Sequence, residues 1–201
     1  MDNNLETDVA RRTQARILDA ANQVIAKVGY ARLRMDAVAR GSGITRQTIY
    51  NYFPNKAQLA VAVLLREGSA VNDRAKQSLP GDLQGVELLS AAILALVDAA
   101  RATPIFEGMF EEGSVGYVNE LAEHQQVIAH MMHDYWAPVI DRLAATGQVR
   151  ADVPPDRLEW WLSFVYRSLL SRPAEDLDDR AAMDRLVREF IAPSVMVDRG
   201  S

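Results

Sequence analysis

The chain has 201 residues, a length that suits one medium-sized domain or a small domain joined to a larger one. Of these residues 49% are apolar, and the formal net charge is −5. It contains no cysteine, which excludes disulfides and thiolate metal sites. The longest apolar run, residues 91–97, is far below the roughly 20 residues that span a bilayer, and residues 1–8 are polar and acidic, unlike a secretion signal, so we expect a cytoplasmic protein that has no membrane partner.

Helical periodicity runs through the first third of the chain, and no stretch alternates apolar and polar residues as a strand does. A first helix is predicted up to Gly29, which ends it. Two short helices follow over residues 35–40 and 45–51, and Asn55 is placed to cap a fourth helix. The apolar faces of the first and fourth helices are expected at Ile17, Leu18, Ala21, Val24, Ile25, Val28, Leu59, Val63 and Leu64.

The sequence of the remaining two thirds of the chain predicts five further helices. The first, over residues 88–100, is apolar on nearly all sides, as a central buried helix is. A short element over 103–113 and a long helix over 114–146 come next. A helix over 155–171 follows, and the last helix is expected to end at Pro193. We therefore predict an all-α fold of about nine helices.

The segment Arg34–Phe53 has the sequence of a helix-turn-helix. Gly43 supplies the positive φ that a tight turn requires. Thr45 is placed to cap the second helix, so that the free N–H groups and the positive dipole end of that helix point forward. In DNA-binding proteins of this type that end enters the major groove. Ile49 and Phe53, four residues apart, are expected to point into the core.

The outer face of the second helix offers groups that bind DNA. Arg46 and Gln47 can form bidentate hydrogen bonds to the edges of guanine and adenine. Threonine and tyrosine hydroxyls can reach phosphate oxygens. A phosphate would also explain Lys56, a cation in the first turn of a helix, although a solvated surface residue is the alternative. The predicted DNA-binding residues are Arg34, Thr45, Arg46, Gln47, Thr48, Tyr50, Asn51, Tyr52 and Lys56.

The charge of the chain is distributed unevenly. Residues 9–66 carry ten Arg or Lys against Asp19 and Asp36, a net charge of +8, whereas residues 67–201 carry 12 basic against 22 acidic residues, a net charge of −10. A basic segment on an acidic body is typical of a protein whose one end meets phosphates. Two ordinary solvated surfaces give the same pattern, so the charge alone does not decide.

Residues 13–66 resemble the DNA-binding domain of the TetR family of bacterial regulators. The residues that follow the family's pattern are Ala20, Ala21, Gly29, Tyr30, Val38, Ala39, Gly43, Ile44, Thr45, Ile49, Tyr50, Asn51, Tyr52, Phe53 and Lys56. The departures keep size or capping chemistry: Val24-Ile25 stands for a usual Leu-Phe pair, Ser42 for Ala, Thr45 for Ser and Ile49 for Leu.

The resemblance implies a helix-turn-helix DNA-binding domain over residues 9–55, with its motif at 34–53, and a larger helical effector-binding and dimerisation domain over 56–197. It implies a homodimeric repressor that a small effector releases from a near-palindromic double-stranded DNA operator. No cofactor is expected.

The helix over 155–171 supports dimerisation independently, because it is apolar on two faces. Such a helix needs burial in its own core and against a partner. The last helix carries a matching apolar stripe, so we expect an interface of four helices, two from each copy; a tightly packed monomer is the alternative. The predicted interface residues are Trp161, Leu162, Val165, Leu169, Met183, Leu186, Val187 and Phe190.

Aromatic and Met side chains form adaptable apolar cavities, although at helical spacing they are also ordinary core residues. The predicted lining of an effector pocket is Phe106, Met109, Phe110, Tyr117, Met131, Tyr135, Trp136 and Phe164. A ligand of such a pocket is expected to be lipophilic, with one or two polar anchors.

The sequence predicts no catalytic residues and no enzyme activity, because it has no phosphate-binding loop, no nucleophile elbow and no Glu-x-x-His pairs. His130 and His133 are one turn apart and can chelate, but no third ligand is placed beside them, so no metal site is predicted. Two other hypotheses stay open: a helical carrier protein whose basic segment has no role in DNA binding, and a metal sensor that uses these histidines.

Overall fold

The structure, a computed structural model, describes residues 2–106, 125–170 and 179–197. Over these ranges the chain is mainly helical, and its β pairing is limited to an isolated bridge between Val149 and Met196. The prediction of an all-α fold is confirmed. Of the helices described, none is long and apolar enough to cross a bilayer.

Nine α-helices and one π-helical turn have both ends within the described ranges, and residues 104–106 are helical as well. The helices are α1 (Asp2–Val28), α2 (Met35–Ser42), α3 (Arg46–Tyr52), α4 (Lys56–Ser78), α5 (Gly85–Arg101), α6 (Gln125–Ala145), α7 (Pro155–Leu170), α8 (Arg180–Leu186) and α9 (Ala192–Val195), with the π-turn at Val187–Ile191 between the last two. The short element predicted over 103–113 and the start of the helix predicted over 114–146 lie largely outside the described residues.

The described chain forms two compact units. The first holds residues 2–67, 103–106 and 125, and the second holds 68–102, 126–170 and 179–197. The division falls inside α4, between Glu67 and Gly68, rather than at the start of that helix, where the predicted domains 9–55 and 56–197 meet.

The core of the first unit is built where α1 packs against α2 and α2 packs against α3. A Cβ atom at Gly41 would lie 3.3 Å from the Cβ atom of Ala20, so small residues let α1 and α2 approach closely. Ile17, Ala21 and Ile25 are buried as predicted, whereas Val24 and Val28 are half-exposed. The buried residues of this core include Ile17, Ala21, Ile25, Val38, Ile49 and Phe53.

The second unit is organised around α5, which packs against α7, α8, the π-turn and α9. Ten of its residues are buried, as expected for a central helix. The Tyr135 hydroxyl on α6 donates a 2.8 Å hydrogen bond to the carbonyl of Ala92 on α5. Arg142, also on α6, donates to three carbonyls of the loop between α4 and α5, those of Pro80, Gly81 and Leu83. These bonds fix α6 to the centre of the unit.

The prediction that Pro193 ends the last helix is wrong. The wider π-turn at Val187–Ile191 precedes Pro193, which then sits in the first turn of α9, where its missing N–H has no intrahelical partner to lose. The extra residue in the turn rotates the helix, so the buried stripe shifts. Val187 and Ile191 stay buried, while Phe190 turns to solvent with 72% of its surface exposed.

Candidate nucleic-acid interface

The turn between α2 and α3 is shaped by Gly43, whose φ of 65° lies in the left-handed region that favours glycine. The guanidinium of Arg16 on α1 donates a 2.6 Å hydrogen bond to the carbonyl of Ser42, just before the glycine. The Ser42 hydroxyl is buried and donates to the carbonyl of Val38 at 2.7 Å. The turn is thus fixed on both sides, as the predicted helix-turn-helix requires.

Helix α3 begins at the residue that the sequence indicates. Thr45 is its N-cap, and the Thr45 side chain accepts a 3.2 Å hydrogen bond from the backbone N–H of Thr48. Ile49 is fully buried and Phe53 nearly so. The apolar side of the helix is therefore used by the core, and its N-terminal end carries free N–H groups.

The opposite side of α3 brings the predicted DNA-binding side chains together. Arg46, Gln47, Tyr50 and Asn51 are exposed, and the Gln47 amide donates to the Asn51 side-chain oxygen at 3.3 Å. Of the remaining predicted residues, Thr45 and Arg34 are exposed, whereas Thr48, Tyr52 and Lys56 are half-buried. Arg34 stands in extended backbone immediately before α2.

An ion pair that sequence reasoning missed holds Arg46. The Arg46 NH1 atom lies 2.8 Å from Oδ1 of Asp36 on α2, and the guanidinium lies 5.9 Å from the centre of the Tyr50 ring. A hydrogen bond with Tyr50 and the Asp36 charge raise the pKa of Arg46. The signal in the sequence is an aspartate in a segment that is otherwise strongly basic.

Lys56 also makes a contact that the sequence did not reveal. Its Nζ atom lies 4.5 Å from the centre of the ring of Tyr30, a residue that is 3% exposed. The π-electron face of the Tyr30 ring stabilises the cation of Lys56 in the first turn of α4. Asn55 caps the same helix, as predicted, because its side chain accepts a 2.8 Å hydrogen bond from the N–H of Gln58.

The predicted effector pocket is described only in part. Phe106 is buried in the first unit, and Tyr135 and Trp136 are fully buried in the second, where Met131 is half-buried. Met109, Phe110 and Tyr117 lie outside the described residues. Phe164 on α7 is 45% exposed, and the centre of its ring lies 5.8 Å from the ring centres of Trp160 and Trp161.

The interior of the second unit contains a donor without a partner. The Trp136 Nε1 atom is buried and, within the described part of the chain, nothing accepts its hydrogen. The neighbouring Tyr135 packs edge-on against the indole, with ring centres 4.9 Å apart. Burial raises the pKa of Tyr135 and of Tyr166 on α7, so both phenols stay neutral. The side chains of Tyr135, Trp136 and Tyr166 therefore offer polar groups that carry no charge.

A separate groove of about 600 Å³ opens on the second unit. It lies between the end of α4, the outer face of α5 and the start of α8, and an ion pair between Asp98 and Arg180 borders it. Of the residues predicted for the effector pocket, those that the structure describes do not line this groove.

Five of the eight residues predicted for the dimer interface are buried inside the subunit. These are Leu162, Val165, Leu169, Met183 and Val187. Leu186 and Trp161 are half-exposed, and the Trp161 indole donates to the Ser194 hydroxyl at 2.8 Å. On α7 and the π-turn, three large aromatic side chains face solvent: Trp160, Phe164 and Phe190, with exposed fractions of 63%, 45% and 72%. We call these three residues the aromatic face.

His130 and His133 stack on each other, with ring centres 6.3 Å apart. The Nδ1 atom of His133 lies 2.8 Å from Oε2 of Glu159 on α7, and this hydrogen bond and the Glu159 charge raise the pKa of His133. In the described ranges, no group of three or more His, Asp or Glu side chains is arranged to hold a metal. His133 is thus engaged by a carboxylate.

Residues 17–63 match the family model of bacterial regulatory proteins of the tetR family. The transcriptional repressor KstR of Mycobacterium tuberculosis is 30% identical over 198 residues, which cover 94% of this chain and 86% of the relative. KstR of Rhodococcus jostii is 29% identical over 171 residues, which cover 81% of this chain and 78% of that protein.

Solved structures share the fold at lower identity. The RolR protein bound to resorcinol superposes with a TM-score of 0.66 at 19% identity and covers 90% of this chain and 89% of its own. A tetR-family regulator from Shewanella sp. PV-4 gives a TM-score of 0.64 at 19% identity, covering 92% of this chain and 98% of its own.

Proposed function

Because this chain belongs to the TetR family of bacterial transcriptional regulators and is thus a DNA-binding regulator, we propose that it is a repressor that docks α3 of each of two copies against a near-palindromic operator. The observation that carries the proposal is the division of α3 into two sides. Ile49 is buried, while Arg46 and Gln47 stand exposed at the capped end of the helix. That end is the one that a recognition helix presents to base edges.

The side chains on the outer face of α3 divide by chemistry. Arg46 and Gln47 lie in the first turn and carry the donors and acceptors that pair with guanine and adenine. The hydroxyls of Thr45, Thr48, Tyr50 and Tyr52 serve phosphates, as do the cations of Arg34 and Lys56. Asn51 orients Gln47 through the 3.3 Å hydrogen bond between their amides.

The aromatic face supplies the contact between the two copies. Its three residues expose large rings that a monomer would leave in water, and burial of aromatic rings is a main source of stability in protein interfaces. A twofold interface on this face would pair α7 and the π-turn with their copies. For the two α3 helices of the dimer to bind one side of the DNA, their centres need to lie roughly 34–36 Å apart, which is one helical turn of DNA.

Release by an effector is the second half of the proposal. The effector is a lipophilic molecule that binds in the interior of the second unit, where the unpaired Trp136 N–H offers a hydrogen bond to a carbonyl, ether or hydroxyl oxygen. A buried donor without a partner costs about 1–3 kcal/mol, so a ligand that accepts its hydrogen gains that amount. Binding would favour a conformer in which α4 pivots, and the effector and the operator then oppose each other by reciprocal coupling.

The DNA-binding proposal is tested by selecting duplexes from a random library with the wild-type protein and measuring affinities for the selected duplex and its single-base variants at one salt concentration. Arg46→Ala and Gln47→Ala should each lose discrimination at a base pair, by about 1–3 kcal/mol. Lys56→Ala should weaken binding to all duplexes alike. Arg157→Ala on α7, with the same loss of charge, is the control that should change neither. Wild-type affinities in all three variants of the first unit would contradict the proposal.

The effector proposal is tested by thermal shift of the purified protein with neutral aromatic alcohols and ketones as probes. Trp136→Phe should abolish the stabilisation by a probe that carries an acceptor, because it removes the N–H. Trp161→Phe loses an indole N–H that already has a partner, so it should keep the response. An equal response of both variants would show that the Trp136 N–H does not anchor the ligand.

A further inference from the structure

The acidic residues of the basic segment have different surroundings. Residues 9–66 contain two of them, Asp19 and Asp36. Asp19 on α1 pairs with Arg66 on α4 at 2.8 Å. Asp36 pairs with Arg46 at the same distance, at the capped end of the recognition helix, and its side chain is 48% exposed. A carboxylate at that place repels phosphates, which weakens binding to any DNA, so its position next to Arg46 calls for an explanation.

The geometry leaves Arg46 able to read a base while Asp36 holds it. The contact uses the NH1 group, and a guanidinium has five N–H donors, of which guanine needs two. The Tyr50 ring lies 5.9 Å from the guanidinium carbon. A free arginine side chain loses much rotamer entropy when it is immobilised in an interface. Asp36 and Tyr50 restrict Arg46 before DNA arrives, so less of that entropy is lost on binding.

We propose that Asp36 is a positioning residue that determines the sequence specificity of this regulator through Arg46. Its charge lowers the affinity for unselected DNA, and its ion pair holds the guanidinium in the orientation that meets a guanine edge. The charge acts on binding to every sequence, so it is the ion pair that raises the ratio of specific to non-specific affinity. The inference rests on the proposed function, since it requires Arg46 to contact a base.

The test uses the full-length protein and the duplex selected from a random library by the wild-type chain. The affinities of the wild type, Asp36→Ala, Asp36→Asn, Arg46→Ala and the double variant Asp36→Ala/Arg46→Ala are measured for that duplex, for its single-base variants and for a scrambled duplex. Asp19→Ala makes the same change of charge beside Arg66 and is the matched control. Asp36→Asn keeps the shape of the side chain, and circular dichroism verifies that each variant is folded.

Asp36→Ala and Asp36→Asn should lower the ratio of selected to scrambled affinity by about ten-fold, with the loss concentrated at the base pair that Arg46→Ala also affects. In the Arg46→Ala background, Asp36→Ala should have no further effect at that base pair. Asp19→Ala should leave the ratio unchanged.

Three results would overturn the inference, and they are distinguishable from one another. If Arg46→Ala relaxes the preference at one base pair while both Asp36 variants keep the wild-type ratio, Asp36 has no positioning role although the proposed docking stands. If Arg46→Ala itself keeps the wild-type preference, the docking of α3 is wrong and the inference fails with it. An equal loss from Asp36→Ala with and without Arg46 would also contradict the inference, because Asp36 would then act by charge alone.

Discussion

The Oγ1 atom of Thr45 lies 3.2 Å from the backbone nitrogen of Thr48 and 2.8 Å from its hydroxyl oxygen, so one side chain closes the first turn of α3. The same turn carries Arg46 and Gln47. Because a capped turn frays less than an uncapped one, the bond that stabilises the helix also fixes the backbone from which the proposed base contacts are made.

Replacing Thr45 by Ala removes the acceptor for the Thr48 N–H. The free energy of unfolding should fall by about 1 kcal/mol, measured by urea denaturation. Thr45→Ser keeps the oxygen and should retain most of the stability. If the Ala variant is as stable as the Ser variant, the cap does not contribute to the stability of α3.

Replacing Gly43 by Ala forces an L side chain into a backbone with a φ of 65°. The new Cβ atom would also lie 3.3 Å from NH2 of Arg16, which bonds to Ser42. The expected loss is about 1–2 kcal/mol in the free energy of unfolding. Gly81→Ala is the control, because a Cβ atom there meets nothing within 4 Å. Equal stabilities of the two variants would contradict the role of the turn.

The pKa of His133 should fall towards about 6.5, the value of an unperturbed histidine, when Glu159 is replaced by Gln, because the hydrogen bond and the negative charge that raise it are lost. The measurement is an NMR titration of the imidazole resonances. Asp156→Asn, which removes a carboxylate elsewhere on α7, should leave the His133 pKa as it is in the wild type.

The same pair makes a pH-dependent contribution to stability. Since the folded-state pKa of His133 is raised, the contribution is fully present below about pH 6.5 and is lost as the pH rises through the folded-state value. The wild type should therefore exceed Glu159→Gln in stability by more at pH 5.5 than at pH 8. A difference that is constant with pH would exclude a charged pair.

The aromatic face should be the site of self-association. Trp160→Glu and Phe190→Glu place a charge where the proposed interface buries a ring, and the dimer dissociation constant should rise about 30-fold or more, measured by sedimentation velocity over a range of concentrations. Val127→Glu on α6 is the control, since Val127 is also apolar and 47% exposed. If only the control dissociates the dimer, the interface lies elsewhere.

Local chemistry explains which parts of the fold were predictable. The caps at Thr45 and Asn55, the left-handed glycine at Gly43 and the buried pair Ile49 and Phe53 depend on neighbours a few residues away, and each is found as predicted. The end of the last helix was not predictable from Pro193, because a π-turn earlier in that helix changes which backbone groups need partners.

The sequence by itself determined that the chain is helical, where the helix-turn-helix lies and which residues form the two sides of α3, since these follow from short-range spacing and capping. Only the tertiary structure decided that Asp36 pairs with Arg46, that Lys56 lies over Tyr30, and that Leu162 and Val187 are buried while Trp160 and Phe190 face solvent. An apolar stripe in the sequence indicates that one side of a helix is buried. Whether the subunit's own core or a second copy buries that side depends on how the helices pack. The same holds for ion pairs, which depend on residues that are brought together from separate helices.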